Sequence, residues 1–182
     1  MKDSFGHLII AGSGGQGVLY AGKLLAQSAM LEGKQVTWFP SYGAEIRGGT
    51  ANCTVIISEE MIGSPSVLNP ESLMLMNSAS MDKFLPKLKS GGIAILNTSL
   101  IKNHPQRSDI AMVEIKATDI AEKLGSSQAT NAVMLGALIG KTGIVQADSI
   151  CKAIEETTPE HRKKTIPLNI RAFKKGMEVI EN

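Results

Sequence analysis

The first residues with chemistry in them are Gly12-Ser-Gly-Gly-Gln-Gly17, a G-x-G-x-x-G run. It lies between an apolar stretch, HLIIAG (His7 to Gly12), and a helical pattern that starts at Gly17. In that context glycines allow a tight turn and let backbone N–H groups at a helix start face an anion. Gly12, Gly14, Gly15, Gln16 and Gly17 are therefore candidates for contact with a cofactor phosphate. The plain alternative is a glycine turn that serves helix–sheet packing alone. A dinucleotide site also needs an acidic residue at the end of the second strand, about 20 residues on. The chain there reads Phe39-Pro40-Ser41. Ser41 and Arg47 could instead hold a 2′-phosphate. One function class is thus a stand-alone NADP-binding reductase, or a small-molecule binding module, on a Rossmann-like fold.

A second stretch, SYGAEIRGGTANC (Ser41 to Cys53), sets Glu45 and Arg47 between Gly43 and the Gly48–Gly49 pair. Glycines give up side-chain contacts, so charged groups placed among them suit close backbone approach to a ligand or partner. The alternative is a local Glu45–Arg47 ion pair that holds the loop.

Other chemistry is sparse. There is no G-x-S-x-G or H-E-x-x-H and no closely spaced His/Cys/Asp cluster. His7, His104 and His161 occur singly, in strand-start or loop positions that suit surface residues. Gly17 to Lys23 spells G-x-x-x-x-G-K, but Leu24 stands where a Ser or Thr would hold magnesium. Gly140-Lys-Thr142 closes a helix where a phosphate loop should open one. Met74, Met76 and Met81 read as core filling, and KAIEETTPEHRKK (Lys152 to Lys164) as a solvated helix end and loop.

Elements must position those two stretches. HLIIAG, QVTWF (Gln35 to Phe39), TANCTVIIS (Thr50 to Ser58), SLMLMN (Ser72 to Asn77), GIAILN (Gly92 to Asn97) and AMVEI (Ala111 to Ile115) read as strands. Helical periodicity covers Gly17 to Leu31, where Tyr20, Lys23 and Gln27 mark a polar face, and Met81 to Leu88; beyond Thr118 the chain stays helical. The first two strands, joined by a helix, should run parallel. Ala129, Ala132, Val133, Gly136, Ala137 and Gly140 line one face of a late helix with small residues, suited to tight packing within the chain or against a partner. Ile166, Ile170, Phe173, Met177 and Ile180 form an apolar stripe on the last helix. The expected fold is α/β, a three-layer domain with a largely parallel, Rossmann-like sheet and a C-terminal helical layer. At 182 residues, with 43% hydrophobic and 20% charged, a single domain over residues 1–182 is expected. A net charge of +2, four Phe, two Tyr and one Trp argue against nucleic acid as partner. No apolar run nears the ~20 residues of a membrane span. Two isolated cysteines, Cys53 and Cys151, point to a cytoplasmic protein with no metal site.

GSGGQGVLYAGKLLAQSA followed by FPSYGAEIRGGTANCTVIIS resembles the gamma subunit of 2-oxoacid:ferredoxin (acceptor) oxidoreductases. The resemblance continues through GGIAILNTSLI, the NAVMLGALIG helix and N-I-R-A-F-K-K-G (Asn169 to Gly176), nearly the whole chain. Its wording is most like the 2-oxoglutarate type, with branched-chain 2-oxoacid enzymes similar here. Ala44 stands where proline is common in the family, which implies a looser loop. The resemblance implies a subunit, inactive alone, of an enzyme that oxidatively decarboxylates a 2-oxoacid with coenzyme A to an acyl-CoA and reduces ferredoxin. Thiamine diphosphate and iron–sulfur clusters would be held by other chains, with alpha and beta subunits as partners and a delta subunit as a further candidate. No catalytic residue falls on this chain under that reading. The Gly12–Gly17 loop would touch coenzyme A or a partner subunit. Ser41, Tyr42, Gly43, Glu45, Arg47, Gly48, Gly49 and Asn131 would form the interface, and substrate selectivity would lie near the thiamine on other chains.

The chain purified alone should accordingly be colourless and inactive in 2-oxoacid oxidation. Flavin or iron–sulfur absorbance at stoichiometric levels would contradict the subunit reading.

Overall fold

The computed structural model describes residues 6–42, 50–103 and 106–181. Six strands form one mixed sheet in the order β2-β3-β1-β4-β5-β6. They are β1 (Gly6–Ser13), β2 (Gln35–Tyr42), β3 (Thr50–Ser58), β4 (Ser72–Leu75), β5 (Ile93–Asn97) and β6 (Ala111–Ile115). β1, β4, β5 and β6 pair in parallel, whereas β3 runs antiparallel to both β1 and β2. β1 and β2 therefore point the same way, as a strand–helix–strand unit requires, but β3 is inserted between them. Pro40 has no N–H to give a ladder, and its place on the edge strand β2 tolerates that.

The central strands are apolar on both sides because helices cover both faces. On one face Leu8 and Ile10 of β1 join Met74, Met76 and Ile95 under α1 (Val18–Leu31), α4 (Thr130–Thr142) and α5 (Ala147–Thr157). On the other face Ile9, Ala11, Leu73, Leu75 and Leu96 pack against Met81 and Phe84 of the short α2 (Ser78–Phe84). α2 starts earlier than the periodicity predicts, because Asn77 caps it with Oδ1 accepting the Ser80 N–H at 2.9 Å. It gives way to a 3-10 turn at Leu85–Lys87, where Pro86 cannot continue the α-helical ladder. The crossover from β5 to β6 has no helix among its described residues. Arg107 fastens it, donating to the Leu85 and Leu88 carbonyls at 3.0 and 3.1 Å and pairing with Asp109. That pairing, with Ser90, holds the Asp109 carboxyl well below the usual carboxylate range.

Beyond α3 (Ala117–Lys123), helices layer outward. Every residue of α4 from Thr130 to Ile139 is buried, because α4 lies between the sheet and α6 (Ile166–Glu181). The small residues make this possible. A Cβ on Gly136 would fall 2.0 Å from the Phe173 carbonyl oxygen, and one on Gly176 would fall 2.0 Å from that of Val133. The two backbones touch reciprocally, so the Gly136 side of the stripe packs inside the chain. Phe173 of α6 is fully buried there, with Ile166, Ile170, Met177 and Ile180 partly buried around it.

Gly136→Ala should destabilise the chain by about 1–3 kcal/mol or more, since the new methyl meets backbone that cannot yield by changing rotamer. Gly63→Ala, with nothing within 4 Å of the added carbon, should change stability by less than about 0.5 kcal/mol. Urea unfolding of both reads the contrast. Equal midpoints would mean that α4 and α6 are not held by backbone contact.

Candidate functional site

The sheet's parallel strands all end at one edge. Ala11 registers with Leu75, Leu75 with Leu96, and Asn97 with Ile115. On the other side Ser13 registers with Thr50 and Tyr42 with Ala51. The glycine loop leaves this edge between β1 and β4, where the sheet's connections turn opposite ways, and such a point is where open α/β sheets bind ligands.

The loop is built from side chains that fold back on it. At the end of β1, the Ser13 N–H donates to Gln16 Oε1 at 2.7 Å, while the Gln16 N–H donates to the Ser13 carbonyl at 3.1 Å. Asn77 Nδ2 donates to Ser13 Oγ at 2.7 Å and to Gln16 Oε1 at 3.2 Å. Gly12 leaves room for this, since a Cβ there would lie 2.6 Å from Gln16 Oε1 and 2.8 Å from Met76 Cβ. Gly17, the N-cap of α1, has φ +73. Its carbonyl accepts Asn131 Nδ2 at 3.2 Å, and a Cβ would fall 2.1 Å from that nitrogen. Gly15 has φ +95 and nothing within 4 Å of an added carbon. Of the pair, Gly15 answers to backbone conformation alone and Gly17 to both conformation and space.

Two cavities meet at the loop, with Gly15 and Gln128 lining both. The larger, about 250 Å³, lies among the starts of α1, α4 and α6 and the turn after α5. Neither α1 nor α4 has a side-chain cap or an acidic residue in its first turn. The first N–H groups and dipole of α1 thus favour an anion there. α4 is led in by the 3-10 turn Ser127–Ala129, where Ser126 Oγ accepts the Gln128 N–H at 3.2 Å and the Thr130 N–H donates to the Ser127 carbonyl. Arg162 is the cationic side chain in the lining. The Tyr20 and Thr158 hydroxyls lie 3.2 Å apart; Thr158 spends its proton on the Ile154 carbonyl at 2.6 Å, so Tyr20 is the donor between them. The smaller cavity, about 200 Å³, runs over the end of β4 and the start of α3 toward Gln16, Met76, Leu100 and Thr118.

The structure joins Gly12, Gly15, Gln16, Gly17 and Asn131 in one arrangement, with Gly14 exposed on its rim. Ser41 lies exposed on β2 at the same sheet edge, and Tyr42 registers with Ala51. Gly43, Ala44, Glu45, Arg47, Gly48, Gly49 and His104 lie outside the described residues, and the Glu45–Arg47 pair with them. A dinucleotide arrangement does not form. With β3 inserted, the end of β2 is two strands from the loop, about 10 Å away at ordinary strand spacing, instead of beside it. Both magnesium-type decoys fall inside or at the end of helices α1 and α4. Cys53 offers no nucleophile: burial pushes its thiol up to about 12.

Sequence reasoning missed four contributors. Asn77 reads as the end of its strand, though Asn before Ser-Ala-Ser is a helix-cap signal. Tyr20 was assigned to a polar face, yet it is half-buried against Thr158. Thr158 and Arg162 sit in a stretch read as solvated, and only the tertiary packing of α5, α6 and α1 turns them toward the loop.

Residues 7–179 match the family model described as pyruvate ferredoxin/flavodoxin oxidoreductase. The chain is 39% identical over 171 residues to ketoisovalerate oxidoreductase subunit VorA of Methanothermobacter thermautotrophicus, covering 93% of this chain but 35% of VorA. It thus spans about a third of that relative's length. It is 37% identical over 173 residues to 2-oxoglutarate synthase subunit KorC of Methanocaldococcus jannaschii, covering 93% of this chain and 91% of KorC. The crystal structure of a keto/oxoacid ferredoxin oxidoreductase gamma subunit from Geobacter sulfurreducens superposes with a TM-score of 0.83 at 30% identity, over 96% of this chain and 98% of that one.

Gly17→Ala should cost more stability than Gly15→Ala. Both add left-handed strain of about 1–2 kcal/mol, and only Gly17→Ala also drives a methyl into Asn131. Denaturant unfolding of the two variants checks the order; a reversal would mean that Asn131 does not hold the loop.

Proposed function

The chain belongs to the pyruvate ferredoxin/flavodoxin oxidoreductase family, and we propose that it is the gamma-type subunit of a complex that oxidatively decarboxylates a 2-oxoacid with coenzyme A and passes the electrons to ferredoxin. Its similarity over nearly the full length of KorC and of the Geobacter gamma subunit supports a subunit role. Thiamine diphosphate and iron–sulfur clusters are assigned to partner chains, alpha and beta, with delta as a further candidate. The observation that carries a role for this chain is the larger cavity. The uncapped start of α1 and Arg162 converge there on the glycine loop, an environment for the phosphates of coenzyme A. Ser41 and Tyr42 lie at the same edge, and the segment Ser41 to Gly49 is assigned to partner contact.

2-Oxoglutarate is the favoured substrate of the complex, in line with the KorC relative. A branched-chain 2-oxoacid is the second reading, favoured by the 39% identity to VorA. Among the described residues no helix is long and apolar enough to cross a membrane.

Reconstitution with alpha and beta subunits tests the proposal, with dye reduction as the readout. Activity should require this chain, coenzyme A and 2-oxoglutarate together. Full activity without the chain would overturn the subunit role, and faster turnover of 2-oxoisovalerate would move the substrate to the second reading.

A further inference from the structure

The carboxamide of Gln16 has two inequivalent ends in this fold. The end that meets the Ser13 backbone N–H at 2.7 Å has to be the oxygen, because an N–H cannot accept. The same oxygen takes Asn77 Nδ2 at 3.2 Å. Asn77 is itself oriented, since its Oδ1 accepts the Ser80 N–H at 2.9 Å as the cap of α2. One chain of hydrogen bonds therefore runs from a helix cap to the loop and fixes which way Gln16 faces. Both directions of its oxygen are filled. Its Nε2 has no partner among the described residues, and Gln16 lines the smaller cavity.

That cavity differs in chemistry from its neighbour. None of its lining residues is charged; Thr118, Ser127 and Thr130 bring hydroxyls, and Met76 and Leu100 bring apolar surface. The cationic Arg162 lines the larger cavity alone. A ligand lying across Gly15 would meet an anion-accepting end on one side and a neutral, partly apolar slot with a donor on the other.

We infer that Gln16 is a fixed hydrogen-bond donor for a neutral carbonyl in the smaller cavity, oriented by Asn77 as a positioning residue, so that the loop selects ligands carrying an amide arm beyond their phosphates. This rests on the reading of the site as one for coenzyme A, whose pantetheine arm has such carbonyls. Gln16 sets the donor; Asn77 acts on the ligand through it and also holds Ser13 Oγ at 2.7 Å.

The test uses the full chain, alone and in the reconstituted complex. Coenzyme A, pantetheine and adenosine 3′,5′-bisphosphate are titrated by calorimetry and ligand-observed NMR. Gln16→Glu keeps an oxygen for Ser13 and Asn77 but replaces the donor by an acceptor. Binding of coenzyme A and of pantetheine should weaken about tenfold. Binding of the bisphosphate should stay within about twofold at ~0.5 M salt, where the added charge is screened. Asn77→Ser, a neutral change that retains a capping oxygen, should weaken pantetheine several-fold with the fold retained by circular dichroism and with unchanged bisphosphate binding. If coenzyme A saturates parent and variants alike, the inference falls while the coenzyme A reading stands. An equal loss for bisphosphate and pantetheine would make Gln16 and Asn77 general braces of the loop and overturn the selective role. A parent that binds no coenzyme A in either form removes the reading and the inference with it.

Discussion

The bond from the Ser13 N–H to Gln16 Oε1, 2.7 Å long, is the constraint on which the site depends. The chain must leave a strand and enter a helix within four residues, and a part-buried N–H at that corner is satisfied by an acceptor. Gln16 supplies it by folding back over Gly12, where any side chain would collide with it and with Met76. Asn77 then ties the turn to β4 and α2, and Asn131 ties its far end to α4. Three elements distant in sequence thus converge on six residues. The loop is set by the packed core beneath it and leaves its outward N–H groups uncommitted.

The insertion of β3 between β1 and β2 decides what this edge can bind. In a doubly wound dinucleotide domain the second strand ends beside the loop and its acidic residue meets a ribose. Here an antiparallel strand occupies that place and moves the end of β2 one strand further out. The space beside the loop is left instead to the starts of α4 and α6 and to the turn that carries Arg162. One change of strand order replaces a site for two linked nucleotides with a cavity framed by helix starts. The same insertion brings Tyr42 and Thr50 to the sheet edge from which the loop emerges.

Strands with continuous apolar runs were legible in the sequence because both of their faces are covered, as for HLIIA and LMLM. The glycine loop was legible for the same local reason, a strand ending in glycines before a helical period. The order of the strands was not, since nothing in TANCTVIIS says that it pairs backward with two neighbours. The Gly136 stripe announced a close approach without naming what approaches. Its counterpart, Gly176, lies 40 residues on in a helix whose periodicity speaks only for Ile, Phe and Met. Likewise Tyr20 and Arg162 carry no local signal, because their roles arise when α1, α5 and α6 meet.

The central claim is that ligand binding centres on the glycine loop and the two cavities that meet at Gly15. A two-dimensional ¹⁵N–¹H NMR titration of the 182-residue chain with coenzyme A tests it most directly. Amide shifts should cluster in three segments, 14–20, 126–131 and 158–169, and the Ser13 amide should stay protected from exchange throughout. Shifts centred on the opposite sheet edge, around Lys34 and Lys89, or no saturable shifts at all, would contradict the account.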